Sequence, residues 1–324
     1  MRGRLALLSA IVGVCLQACG TAQAQPYPNR PIRLVVPFPA GGTVDIVGRQ
    51  VAQQLQTALG QTVVVENRPG AGTSIGLKVV ASAEPDGYTL LLGSTGSLAI
   101  NPALYKSIDF SPARNLTPVA MLVTLANLLG VAASVPVNNA QELIAYAKAN
   151  PGKLRFGASL GAPPHLIGEF FRARAGLDIP FIPYRGTALA IPDFLAGQIQ
   201  LTAEGTAVLM PFIQDGKLKP MVVTGTKRLA ELPDVPTLDE IGLTGYPSEG
   251  GWIGIVAPPG TPAAVVDKLN AAINEGLKLP ETQASLLKLG FYARPGSPRE
   301  FAARIADDSE KWAAVVKLIG AKMD

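Results

Sequence analysis

From Ile32 onward, short apolar runs rich in β-branched residues alternate with segments whose apolar positions fall at helical spacing. "IRLVV", "TVVVE" and "YTLLLG" read as buried strands. Between the first two, Val44, Val47, Val51 and Leu55 share one helical face, and "SIGLKVVASA" follows the second. The alternation continues through "NLLGVAA", a helix "AQELIAYAKANPGK" closed by Asn-Pro-Gly, "LRFGAS", "PHLIGEFFRARAG", "IPFIPY", "IQLTAE" and "KPMVVTG". It reaches "WIGIVAPPGTP" and then three further helical segments. Such a pattern predicts βαβ units, hence an α/β fold of mainly parallel sheets flanked by helices. The strands are too many for one sheet. Two lobes are expected, 27–126 together with 249–324, and 127–248, the chain crossing near 124–128 and returning near 247–252.

Composition supports a folded chain. Of 324 residues, 48% are hydrophobic and 16% charged, enough for large cores. The start is different: a basic Met1-Arg2-Gly3-Arg4, an apolar Leu5 to Leu16, and "TAQAQ" with an Ala-x-Ala site ending at Ala24. This predicts a secretory signal over 1–24, favoured over a lipobox reading of "LQAC" with lipidation at Cys19, where Gln17 fits poorly. Both cysteines, Cys15 and Cys19, lie inside it, so the expected mature chain has no disulfide, thiolate metal site or Cys nucleophile. Losing Arg2 and Arg4 takes the formal charge from +4 to +2. The remaining basic residues are scattered, which argues against a nucleic-acid partner.

The candidate chemistry lies where strands end. "VVPFPAGGTVD" joins a strand to a helix through bare glycines, with no cation at the joint. A helix start offers unpaired N–H groups and about half a positive charge, which suits an anion. Gly41 and Gly42 admit close approach, Thr43 adds a hydroxyl, and Asp45 can cap or orient the first turn. A tight turn with a cap is the plain alternative. Three other exits are similar: "GSTGSLA" with Ser94, Thr95 and Ser97; "GASLGAPPHL" with Ser159 and His165; and "YRGTALA" with Arg185, Gly186 and Thr187. Four exits rich in Gly, Ser and Thr are what a cleft at the carboxyl ends of two sheets needs.

The stretches "YPNRPIRLVVPFPAGGTVDIVGR", "VENRPGAGTSIG", "DGYTLLLGSTGS", "FGASLGAPPHL", "IPYRGTALAIPDFLAGQI" and "GIVAPPGTP" closely resemble the Bug-type solute receptors of tripartite tricarboxylate transporters. The resemblance spans Tyr27 to Asp324. It implies an exported, two-lobed periplasmic binding protein of the Venus-flytrap type that closes on a small carboxylated solute: a dicarboxylate, an aromatic acid or an amino acid. It further implies delivery to integral-membrane transporter subunits, with a ligand sensor feeding a signalling protein as the alternative. A monomer without cofactor or metal is expected. In that family the loop matching Phe38 to Asp45, including Ala40, holds one ligand carboxylate largely through backbone groups and ordered water. Two positions depart. Many relatives carry aspartate where Gln200 stands, expected to be a neutral change. Glu204 falls where an acid or small polar residue faces the cleft, and either favours a ligand bearing an ammonium or hydroxyl or caps the helix near Thr206.

Enzyme readings are weaker. "GASLG" matches G-x-S-x-G, but that elbow needs an acid and then a histidine downstream, and the single histidine, His165, comes six residues after Ser159. A secreted serine hydrolase using Ser159 is therefore the minor alternative. His165 itself either donates to a ligand or sits satisfied at a helix start. "PGAGTSIG" has the wrong glycine spacing for a dinucleotide loop, and one histidine leaves no zinc cluster.

Overall fold

The computed structural model describes residues 27–105, 111–184, 186–247 and 250–320. The expected signal 1–24 and Arg185 lie outside the described residues. The strands are β1 (Ile32–Val36), β2 (Val63–Asn67), β3 (Thr89–Ser94), β4 (Thr117–Leu125), β5 (Asn127–Ala132), β6 (Phe156–Ser159), β7 (Phe181–Tyr184), β8 (Leu201–Gly205), β9 (Leu218–Val223), β10 (Gly251–Ala257) and β11 (Tyr292–Ala293). The longer helices are α1 (Thr43–Leu59), α2 (Ser74–Ala81), α3 (Ala140–Ala149), α4 (Pro163–Ala175), α5 (Thr187–Leu195), α6 (Thr206–Gln214), α7 (Ala263–Lys278), α8 (Pro280–Lys288) and α9 (Pro298–Ile319). Two sheets result, with orders β11-β4-β10-β3-β1-β2 and β7-β6-β8-β5-β9. Each sheet, flanked by helices, forms the centre of one of two α/β lobes.

The expectation of mainly parallel sheets needs correction. β1 pairs in parallel with β2 and β3, and β6 with β7 and β8, as βαβ units require. β10, however, runs antiparallel to β3 and β4, β11 to β4, and β5 to β8 and β9. The reason is the double crossing. The chain leaves the first sheet at the end of β4 and re-enters it at the start of β10, where Gly251 lies opposite Leu125. Strands that leave and return side by side must point in opposite directions. The antiparallel strands are those that carry the chain between sheets, together with their outer neighbours β9 and β11. β4 itself is a strand that the sequence pattern does not single out.

This topology sets where the exits face. β3 ends beside the start of β10, with Ser94 opposite Ile253, and β8 ends beside the start of β5, with Gly205 opposite Asn127. The carboxyl ends of β1 and β3, and of β6, β7 and β8, therefore all open at the level of the crossings.

Local chemistry makes the flanking helices. α1 buries Val47, Val51 and Leu55 under the first sheet and ends at Gly60 in the left-handed conformation, whose amide closes on the Gln56 carbonyl. α9 opens with a Ser297/Glu300 capping box. It packs against α4, where the Tyr246 ring meets Trp312 and Phe170 edge-on, each at 5.2 Å. Such aromatic pairs contribute about 0.5–1.5 kcal/mol each beyond their buried area. One continuous apolar cluster thus runs from the second sheet through this seam to Trp252 and Phe301 beside the first.

Candidate ligand-binding site

The β1 exit is held by a polar clamp. Asp45, in the first turn of α1 and 1% exposed, turns its carboxylate back on the loop. Its Oδ2 accepts from the Gly41 amide and from Arg49 Nε, both at 2.9 Å, and its Oδ1 accepts from Asn67 Nδ2 at 2.8 Å. The same Asn67 nitrogen donates to the Phe38 carbonyl at 3.0 Å, and Asn67 Oδ1 accepts from Arg49 Nη2 at 3.2 Å. Burial opposes ionisation of Asp45, but the bonds from Arg49, Gly41 and Asn67 outweigh it and hold its carboxyl down at about 2. Gly41 sits at φ +79°, open to glycine at no steric cost, and this aims its amide at Asp45.

The clamp changes the expected roles. Gly41 does not offer its amide to a ligand, because Asp45 takes it, and Asp45 is a positioning group inside the loop. What remains for an anion is the run after it. Gly42 is the N-cap of α1, and the first helical bond accepted at this end is Ile46 to Gly42. Among the described residues, the Val44 amide makes no backbone bond at this helix start, while the turn at Ala40–Gly41 brings the Gly42 amide towards the Pro39 carbonyl in a weak closing bond that an anion could displace. Ala40, Gly41 and Gly42 are exposed and Phe38 is half-buried against the core.

At the β3 exit, two expected ligand residues face inward instead. Thr95 is buried; its Oγ1 accepts from the Trp252 amide at 2.8 Å and donates to the Trp252 carbonyl at 3.4 Å, fastening the exit to β10. Ser97 is fully buried, its Oγ accepting from the Ser94 amide at 2.8 Å and donating to the Ser94 carbonyl at 3.1 Å. Both pin the π-helical turn Gly96–Ile100. Ser94 stays half-buried, with its Oγ taking the Ser97 amide at 3.3 Å. The turn approaches the other lobe: a Cβ on Gly96 would lie 4.0 Å from Pro163 Cδ, at the start of α4.

In the second sheet, Ser159 is half-buried at the end of β6, opposite Tyr184. His165 is 5% exposed, accepts from the Gly161 amide at Nδ1 (3.4 Å), and stacks on Phe181 at 4.3 Å between ring centres. Burial pushes its pKa down, with Glu169 opposing and Arg172 reinforcing the shift. Of the two readings open for His165, a satisfied histidine at a helix start fits this geometry; its Nδ1 is spent on Gly161 and not on Ser159. Gly186 caps α5 and Thr187 begins it. Glu204 is half-buried and its Oε1 accepts from the Gly205 amide at 2.9 Å, at the N-cap of α6. Gln200 is more than a neutral replacement: it accepts from the Arg155 amide at 3.0 Å and donates to the Gly197 carbonyl at 2.7 Å, and an aspartate could not make the second bond.

Sequence reasoning missed Asn67 and Arg49. Arg49 was within reach, four residues after Asp45 on a helix. Asn67 was not, since it meets Asp45 only through the β1–β2 register that sets Val36 opposite Asn67.

Opposed strand exits across a double crossing, with a helix start at one of them, have the layout of a solute-binding protein. The chain belongs to the tripartite tricarboxylate transporter receptor family, whose model matches residues 47–321. It is 35% identical to BugT of Bordetella pertussis over 321 residues, covering 98% of each chain. Among solved structures it is similar to the periplasmic binding protein BugD (38% identity, TM-score 0.77) and to Rpa4515 of R. palustris with adipate (34% identity, TM-score 0.80). Each comparison covers 92% of this chain and all of the other.

Proposed function

We propose that this protein captures a small carboxylate between its two lobes and delivers it to the membrane subunits of a tripartite tricarboxylate-type transporter, without catalytic turnover. The observation that carries this reading is the Asp45–Asn67–Arg49 clamp, which uses up the Gly41 amide and fixes the exposed Gly42 backbone at the start of α1. Asp45 and Arg49 cancel each other's charge, so the anion would be held by backbone dipoles. The lobes are proposed as 27–126 with 249–324 and as 127–248, hinged at the crossings, with export to the periplasm by the signal. Adipate on a relative 34% identical supports a dicarboxylate as ligand here. A thermal-shift screen of carboxylates, followed by calorimetry, tests the proposal. Binding of neutral sugars and of no acid would refute it, as would ester hydrolysis by pure protein that Ser159→Ala abolishes.

A further inference from the structure

A cavity of about 530 Å³ lies on the other flank of the crossing strands, beside β4 and β11 rather than beside β1 and β3. Among the described residues, none of the expected ligand residues lines it. Its walls come from both sheets: the end of β4, the segment 224–231 that follows β9, Gly250, Tyr292 in β11 with Arg294 just after it, and Arg304 of α9. Among the described residues, four cations, Lys227, Arg228, Arg294 and Arg304, line it against one carboxylate, Glu231. Arg228 is gripped by both oxygens of Glu240 at 3.0 Å, and Arg304 by Asp308 at 2.8 Å. Glu231 is turned to the Tyr292 hydroxyl, at 3.1 and 3.2 Å.

The other two cations differ. Among the described residues no carboxylate pairs with Lys227 or Arg294. Arg294 is nonetheless oriented, because its Nε donates to Thr124 Oγ1 at 3.1 Å, which leaves the outer edge of the guanidinium fork for an oxyanion. Lys227 stands on the side of the second sheet and Arg294 on that of the first. We propose that this hinge cavity is a second binding site, for a small oxyanion carrying two or more negative charges, bridged between Arg294 and Lys227. An anion there would tie the two sides of the hinge together, independently of what the cleft binds.

Citrate and inorganic phosphate, titrated calorimetrically at low ionic strength, are the probes. Saturable binding of at least one is expected in the wild type and in Gly42→Pro, weakening as salt is raised. Arg294→Met and Lys227→Met, both at exposed positions, should each weaken it by about tenfold or more. Loss of binding in Gly42→Pro would assign the anion to the cleft and overturn the proposal. So would affinity left within about threefold by either methionine substitution, the mark of diffuse surface charge, or no saturable binding of either probe.

Discussion

Gly42→Pro isolates the open helix end. Gly42 has φ −77° and ψ 166°, values that proline adopts without strain. A Cβ there would meet the Pro39 carbonyl oxygen at 3.5 Å, an ordinary contact, and the amide that is lost closes the Ala40–Gly41 turn on that same carbonyl only weakly. The substitution therefore removes a donor and one weak turn bond, a loss that the restricted unfolded chain offsets by about 0.4–1 kcal/mol. If the amide holds a carboxylate, the loss is one charge-assisted hydrogen bond, about 1.5–3 kcal/mol. Affinity should fall roughly ten- to a hundredfold, since each tenfold step is about 1.4 kcal/mol. Calorimetry with the acid found by screening gives the affinity, and a thermal melt of the same preparation gives Tm. The expected pair is weakened binding at nearly unchanged Tm. Unaltered affinity in the folded variant would refute the helix-end reading, and Gly41 and Gly42 would then be no more than a turn.

Three further outcomes follow from the clamp and the buried polar groups. Asp45→Asn should lower both Tm and affinity, because Arg49 and the Gly41 amide would then share a neutral acceptor. Asp45 is held well below 3.8, so its stabilisation is complete above that value and fades as pH falls towards about 2. It is worth about 1–2 kcal/mol after allowing for solvent around the exposed Arg49, and the Tm gap between wild type and Asp45→Asn should narrow over that window. His165 is shifted the other way relative to its charge: the fold disfavours the protonated form, so stability is complete above pH 6.5 and declines below it as the unfolded chain takes the proton first. His165→Gln should remove that part of the acid sensitivity in a Tm–pH series. Thr95→Val should strand the buried Trp252 amide at a cost of about 1–3 kcal/mol; it should lower Tm, whereas a ligand-contact role for Thr95 would lower affinity at constant Tm.

The strand–helix alternation, the two crossings and the glycine-bearing exits were legible in the chain because they depend on local periods: two residues for a strand, 3.6 for a helix, and glycine where the backbone turns. The Asp45–Arg49 pair belongs to the same local kind, four residues apart on one helix. Strand direction did not. Whether β10 runs with or against β3 depends on where the chain re-enters the sheet, after the whole second set of strands has been laid down. Nor could the sequence separate Ser94 from Thr95 and Ser97. Three neighbouring hydroxyls look alike in a row, yet the turn sends two of them inward, Thr95 to the backbone of Trp252, 157 residues away. Asn67 shows the same limit: an asparagine before Arg-Pro reads as a turn residue, and only the pairing of β1 with β2 sets it beside Asp45 and Phe38. Local periodicity fixes which elements form, while the partner of a polar group across a sheet or a crossing is chosen by register and packing over long chain separations, which only the assembled fold supplies.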